Sequence, residues 1–195
     1  MHAHWVNSLV GGETKPLLLE QFRLRKEIFV DTLNWDLSTK GCSEFDQYDT
    51  PYASYCLTEI GGRLVASARI LPTDLELGAT SYMILDAALG RLGSGLPPSL
   101  CGDFDPPRSK SVWEATRLTV SPSLSKMEKR LALKVTVDRM MLEAKAAGVE
   151  EFLAIGGIDL AYGVASAGYK VKRLTPFFGV KSGKVAIYKL PVVHL

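Results

Sequence analysis

The sequence predicts an α/β fold, and three observations carry that prediction. Segments with helical apolar spacing alternate with short runs rich in β-branched residues. Gly61-Gly62 between SYCLTEI and RLVASARIL marks a hairpin, because a tight two-residue turn needs positive φ. The order helix, hairpin, strand, helix, strand, helix, strand, strand then implies an α/β sandwich around a mixed sheet. A chain of 195 residues can bury a substantial core as one unit, so residues 1–195 are expected to form a single domain.

Residues 14–34 (TKPLLLEQFRLRKEIFVDTLN) read as an amphipathic helix in which Leu18, Phe22, Phe29 and Leu33 form one stripe. Residues 36–53 are polar and irregular. After the hairpin, residues 73–110 are rich in Gly, Pro and Ser and read as loops around a short helix near 82–92. VWEATRLTV (112–120) reads as a strand. A long helix starts between Ser121 and Ser125 and runs to about Ala147, with Gly148 as its C-terminal cap. EEFLAI is a strand, Asp159 to Ala167 a short helix closed by Gly168, and YKVKRL and KVAIYKLPV the last strands.

Composition narrows the function. Hydrophobic residues make up 47% and charged residues 23%, as in ordinary soluble globular proteins. No apolar run approaches the roughly 18–20 residues that span a bilayer, so no membrane insertion is expected. The opening MHAHWVNSLVGGETK lacks the pattern of a secretory signal, which makes the cytoplasm the expected location. Cys42, Cys56 and Cys101 form an odd set without metal-like spacing, so reduced thiols are expected. His2, His4 and His194 all lie near the termini, which argues against an interior histidine base and against a zinc site. His2-Ala3-His4 reads as a frayed end rather than a metal clip. A net charge of +2 gives no reason to expect a nucleic-acid partner.

Four charged features stand out. Arg25 falls in the middle of the apolar stripe, where a guanidinium either snorkels at the helix edge or needs buried carboxylate partners. Asp46 and Asp49, three apart in a loop, read as a solvated turn rather than a metal site, because they lack the further ligands and the glycine of a calcium loop. Arg69 lies on a strand face with Val65, Ser67 and Leu71, where a lone arginine is most often exposed. Glu114 and Arg117 share a strand at odd spacing, which places them on opposite faces unless a β-bulge intervenes.

The ordered set Arg25-x-x-x-Phe29, Trp35, Glu44-x-Asp46-x-Tyr48-Asp49, Arg69 with Leu71-Pro72-Thr73, and Glu114-x-x-Arg117 resembles the LuxI-type N-acyl-homoserine-lactone (autoinducer) synthases. The resemblance runs from about residue 17 to 120. It implies a three-layer sandwich like that of the GCN5-related N-acetyltransferases, with a mixed, splayed central sheet. It implies an acyltransferase that acylates the amine of S-adenosylmethionine and then closes the lactone, releasing methylthioadenosine and so producing a quorum-sensing signal. Arg25, Phe29, Trp35, Asp46, Asp49, Arg69 and Arg117 would shape the S-adenosylmethionine site. Glu114 would take part in, or orient, the base, and Arg69 and Arg117 would join it in catalysis. S-adenosylmethionine is then a substrate, and no separate cofactor is implied. The acyl donor would be a thioester of acyl carrier protein or coenzyme A, its chain lying between the strands near 112–120 and 151–156.

Ala154, Gly156 and Gly157 would line the acyl pocket. Ala154 stands where relatives that take 3-oxo chains usually carry threonine, which implies a preference for chains without a 3-oxo group. Lys126, Lys129, Arg130 and Lys134 make the start of the long helix basic, either as a solvated face or toward an anionic donor. The main rival is an ordinary acyl-CoA N-acyltransferase, which would carry a glycine-containing pyrophosphate loop. No glycine occurs between Gly102 and Gly148, which counts against it. A non-enzymatic acyl- or nucleotide-binding module would not call for so many paired charges.

Overall fold

The computed structural model describes residues 1–7, 12–76, 78–181 and 183–192, so His194 lies outside the described residues. In chain order the elements are β1 (His2–Asn7), α1 (Lys15–Arg25) with a π-helical turn (Lys26–Thr32), β2 (Thr39–Lys40), β3 (Ser43–Glu44), β4 (Ser54–Ile60), β5 (Arg63–Pro72) and α2 (Met83–Ala88). Then follow β6 (Val112–Val120), α3 (Lys126–Ala146), β7 (Glu151–Gly156), α4 (Ile158–Ser166), β8 (Lys172–Arg173), β9 (Phe178–Val180) and β10 (Gly183–Pro191). They form two units, Met1–Ile70 with Thr116–Glu143 and Leu71–Ala115 with Ala144–Leu195, and β5 and β6 each contribute to both.

In the first unit β4 and β5 form the expected antiparallel hairpin, with Gly61 at φ 56° and Gly62 at φ 80° in its turn. The amino-terminal residues are not frayed. They pair antiparallel with β4 from His2↔Glu59 to Asn7↔Ser54 and bury Ala3 and Val6. A six-residue ladder and two buried apolar side chains hold what sequence position alone assigns to disorder. Helix α3 starts with a reciprocal capping box, in which the Glu128 amide donates to Ser125 Oγ and the Ser125 amide to Glu128 Oε2. It ends before Gly148 at φ 74°. Val65, Ala66, Leu124 and Ala132 pack together beneath it.

The helix expected over 14–34 is α-helical only to Arg25. Its buried line is Leu17, Gln21, Leu24, Arg25 and Phe29, while Leu33 is 43% exposed. The π turn widens the spiral, as the Leu33 amide bonding back to the Ile28 carbonyl records, and so rotates Leu33 off the stripe. Asn34 then adopts φ 54°, and the chain doubles back so that the Trp35 amide donates to the Phe29 carbonyl at 2.8 Å.

In the second unit β6 and β7 are parallel over three pairs, Val112↔Glu151 to Glu114↔Leu153. Strand β7 is antiparallel to β10, which also pairs with β8 and β9, so the sheet is mixed. The strand expected over 169–174 shortens to the two residues of β8. Tyr82, Ile84, Leu85, Val112, Leu153 and Ile187 form the core on one face. Helix α4 packs on the other, where Leu160 sits so close over Gly156 that a β-carbon there would lie 2.2 Å from Leu160 Cδ2. Among the described residues no helix is long and apolar enough to cross a membrane.

Candidate active site

Arg25, reached by the buried line of α1, is fully buried and does not snorkel. Its Nε donates to Glu44 Oε2 at 2.5 Å, and Nη1 and Nη2 donate to the two oxygens of Asp49 at 2.7 and 2.9 Å. Arg69 is fully buried as well, which overturns the expectation of an exposed strand arginine. It forks onto Asp46 at 2.5 and 3.2 Å, and its Nε donates to Thr116 Oγ1 at 3.0 Å. Arg117 Nη2 lies 2.7 Å from Asp46 Oδ2 and 3.2 Å from Glu44 Oε1. Three arginines thus meet three carboxylates, Glu44, Asp46 and Asp49, in a network without net charge.

Local structure explains how these side chains converge. The Asp46–Asp49 loop braces itself: the Asp46 amide donates to Asp49 Oδ2 and the Tyr48 amide to Asp46 Oδ1. Tyr55, opposite Arg69 across the hairpin, adds a hydroxyl bond to Asp49 at 2.9 Å. Arg117 has φ 52°, and strict burial alternation along β6 fails there, with Arg117 and Leu118 both half-buried. That break takes Arg117 out of the regular two-sided order of the strand. Its left-handed backbone costs energy for a residue with a β-carbon, and the two carboxylate contacts of Arg117 offset that cost.

Burial opposes ionisation of Asp49, but the charge of Arg69 and the bonded Arg25 outweigh it and hold the carboxyl below the usual range. Asp46 follows the same pattern, its burial outweighed by Arg69 and Arg117. Burial likewise opposes the charge on Arg69, yet Asp46 and Asp49 raise its pKa. Arg117 is the weak member: burial lowers its pKa, Arg69 adds repulsion, and Asp46 and Glu44 only partly compensate.

The forks of Arg25 and Arg69 are occupied by Asp49 and Asp46. Among the described residues, Gln21 Nε2, Arg139 Nε, Arg117 Nε and the indole Nε1 of Trp35 are buried donors of this unit without a protein partner, and the last two lie beside the cage. Both belong to one aromatic cluster, because Phe29 stacks on Trp35 at 4.9 Å and lies 5.4 Å from the Arg117 guanidinium. Such orphaned donors mark a place where an acceptor binds. Glu44, Thr116 and Tyr55 belong to the site although they are absent from the set expected to shape it. The place of Glu44 two residues before Asp46 is the one sequence signal for them.

Glu114 belongs to the second unit and is fully buried. Its Oε2 accepts the Met83 amide at 2.9 Å and its Oε1 the Ile84 amide at 2.8 Å. Helix α2 has no cap from its own Tyr82, so Glu114 supplies the anion at its start. Ala154 is buried on β7; the space over Gly156 is filled by Leu160, and Gly157 precedes α4. On α3, Lys134 is paired with Asp138, four residues on. Among the described residues no group of three or more His, Cys, Asp or Glu side chains could hold a metal ion.

Comparison with known proteins shows the fold and the family. The acyl-homoserine-lactone synthase of Pseudomonas chlororaphis is 30% identical over 195 residues, covering 97% of this chain and 86% of that one. A CoA-dependent acyl-homoserine lactone synthase, BjaI, solved with SAM and isopentyl-CoA, superposes with a TM-score of 0.79 at 21% identity, over 98% of this chain and 83% of that one. A putative N-acetyltransferase from Lactobacillus plantarum shares the fold more distantly, with a TM-score of 0.59 at 11% identity over 99% of this chain and 100% of that one. The fold is therefore the N-acetyltransferase-like sandwich with a mixed sheet. The family model described as autoinducer synthase matches residues 13–194, and with a 30% identical relative aligned along nearly the whole chain, this protein belongs to the autoinducer synthase family.

Proposed function

We propose that the protein is an N-acyl-homoserine-lactone synthase working on S-adenosylmethionine and an acyl thioester. The observation that carries this reading is the buried, internally neutral cage of Arg25, Arg69, Arg117, Glu44, Asp46 and Asp49, bordered by the unpartnered donors Arg117 Nε and Trp35 Nε1. S-adenosylmethionine carries a carboxylate, an amine and a sulfonium. The two free donors suit the carboxylate, the half-buried Asp46 suits a cationic group, and Phe29 and Trp35 offer aromatic faces to a cation or to adenine. Arg25 and Arg69 act on the substrate through the Asp46–Asp49 loop that they hold in place. The match along residues 13–194 supports reading both units as one synthase domain.

In the first step the methionyl nitrogen attacks the thioester carbonyl. An N–C bond forms, the C–S bond breaks, the amine gives up a proton and the thiol leaves. In the second, a carboxylate oxygen attacks the γ carbon and the sulfonium departs as methylthioadenosine, closing the lactone. Both oxygens of Glu114 accept backbone amides, so Glu114 is a positioning residue at the start of α2, and the amine proton ends on the departing thiolate. The donor is an acyl thioester on coenzyme A or on acyl carrier protein, and the cytoplasm supplies both. Incubation with S-adenosylmethionine and a panel of acyl thioesters should release methylthioadenosine in step with the free thiol. Acylation of an unrelated amine with no methylthioadenosine would establish an ordinary acyltransferase instead.

A further inference from the structure

His2-Ala3-His4 carries two metal-ligand side chains that the active site does not use. In a frayed end the two imidazoles would have no fixed relation. Here β1 runs along β4 through six pairs, from His2↔Glu59 to Asn7↔Ser54, and forms the edge of its sheet. Residues two apart in a strand project to the same face, so the ladder holds both imidazoles on one side. Their ring centroids lie 4.5 Å apart with the planes at 82°. His2 is exposed and His4 half-buried, which leaves the pair open to an ion from solvent.

The separation of the rings carries a coordination angle. A ligating nitrogen lies about 2.0 Å from its metal and the ring centre about 1.2 Å beyond, so two imidazoles at a right angle have centres about 4.5 Å apart. A tetrahedral angle would need about 5.2 Å. The spacing in β1 therefore matches neighbouring positions of a square or octahedral ion, the geometry of Cu2+ and Ni2+, rather than the tetrahedral geometry of Zn2+. Glu59 faces His2 across the ladder, but its Oε2 accepts the Gly62 amide, and among the described residues no third protein ligand completes the set. The remaining positions fall to water, as in an open site for an exchangeable ion rather than a closed structural centre. We propose that His2 and His4 form a bidentate clip on the edge strand β1 for a late divalent transition-metal ion, Ni2+ or Cu2+. Strand β1 supplies no residue to the carboxylate cage, so this inference stands independently of the synthase reading.

Titration calorimetry of the full chain with nickel chloride, and separately with zinc chloride, tests the clip. One Ni2+ should bind per chain, and more tightly than Zn2+. His2→Ala and His4→Ala should each weaken Ni2+ binding at least roughly tenfold, because a single imidazole cannot chelate. His4→Gln, which keeps size and polarity on the strand, should lose as much as His4→Ala. The third histidine is the control, and His194→Ala should leave the affinity unchanged. Absence of Ni2+ binding, affinity that survives loss of either His2 or His4, one ion shared between two chains, or tighter Zn2+ would each overturn the proposal.

Discussion

Replacing Arg25 with lysine keeps the charge and removes the geometry. Arg25 makes three charge-assisted bonds, one to Glu44 and two to Asp49, and neither it nor Glu44 has any side-chain exposure. A single ammonium cannot reproduce a planar fork that spans two carboxylates. Lysine would keep one partner and leave the other an unsatisfied buried anion. Breaking a buried pair in this way costs about 3–5 kcal/mol. With a urea dependence of roughly 2 kcal/mol per molar, the unfolding midpoint should fall by about 2 M. The Asp46–Asp49 loop would lose its anchor, so methylthioadenosine release per folded molecule should drop at least roughly a hundredfold. Arg130→Lys on the exposed face of α3 is the control, with an expected change within about 0.5 kcal/mol. Were Arg25→Lys to behave like Arg130→Lys in both midpoint and turnover, the cage would not be what holds the site.

Glu114→Gln should lower stability by about 1–3 kcal/mol, since an amide can accept only one of the Met83 and Ile84 N–H groups. Its turnover should fall with a pH profile of unchanged shape; rescue at alkaline pH would make Glu114 the base after all. Asp46 and Asp49 have folded pKa values below the usual 3.8, so the unfolded chain binds protons first on acidification. Their stabilisation is complete above that value and is lost as pH falls through the depressed values. Urea midpoints should therefore drop below about pH 4, and less steeply in Asp49→Asn; parallel slopes would contradict the assignment. Gly156→Ala would place a carbon 2.2 Å from Leu160 Cδ2 and cost about 1–3 kcal/mol by displacing α4. Adding Leu160→Ala should recover part of that loss, and strict additivity of the two changes would mean that the contact is not the cause.

Most elements were legible because their signals are local. Gly61-Gly62 fixes a turn by backbone sterics, and Ser125 with Glu128 marks a helix start within four residues. The errors arose where a non-local partner decided the outcome. His2–Asn7 carries too little pattern to announce a strand, and its order comes from β4, more than forty residues on. The helix over 14–34 changed type at Lys26 because a π turn trades ideal hydrogen bonding for the placement of Phe29 and Trp35, which helical periodicity cannot register.

The candidate site shows the same division more sharply. Each of its charges had an innocuous reading alone: an arginine at a helix edge, a solvated acidic turn, an exposed strand arginine. Only convergence makes those readings untenable, because three fully or nearly buried guanidinium groups require three carboxylates in reach. The odd spacing of Glu114 and Arg117 pointed to an irregular strand, and the left-handed backbone of Arg117 breaks its alternation. What spacing cannot supply is saturation. The forks of Arg25 and Arg69 are already filled by Asp49 and Asp46, which turns two apparent substrate clamps into supports for a loop and leaves Arg117, of these three, with a buried donor to offer. A residue's type states which bonds it can form; whether those bonds are free for a substrate is decided by neighbours that only the fold supplies.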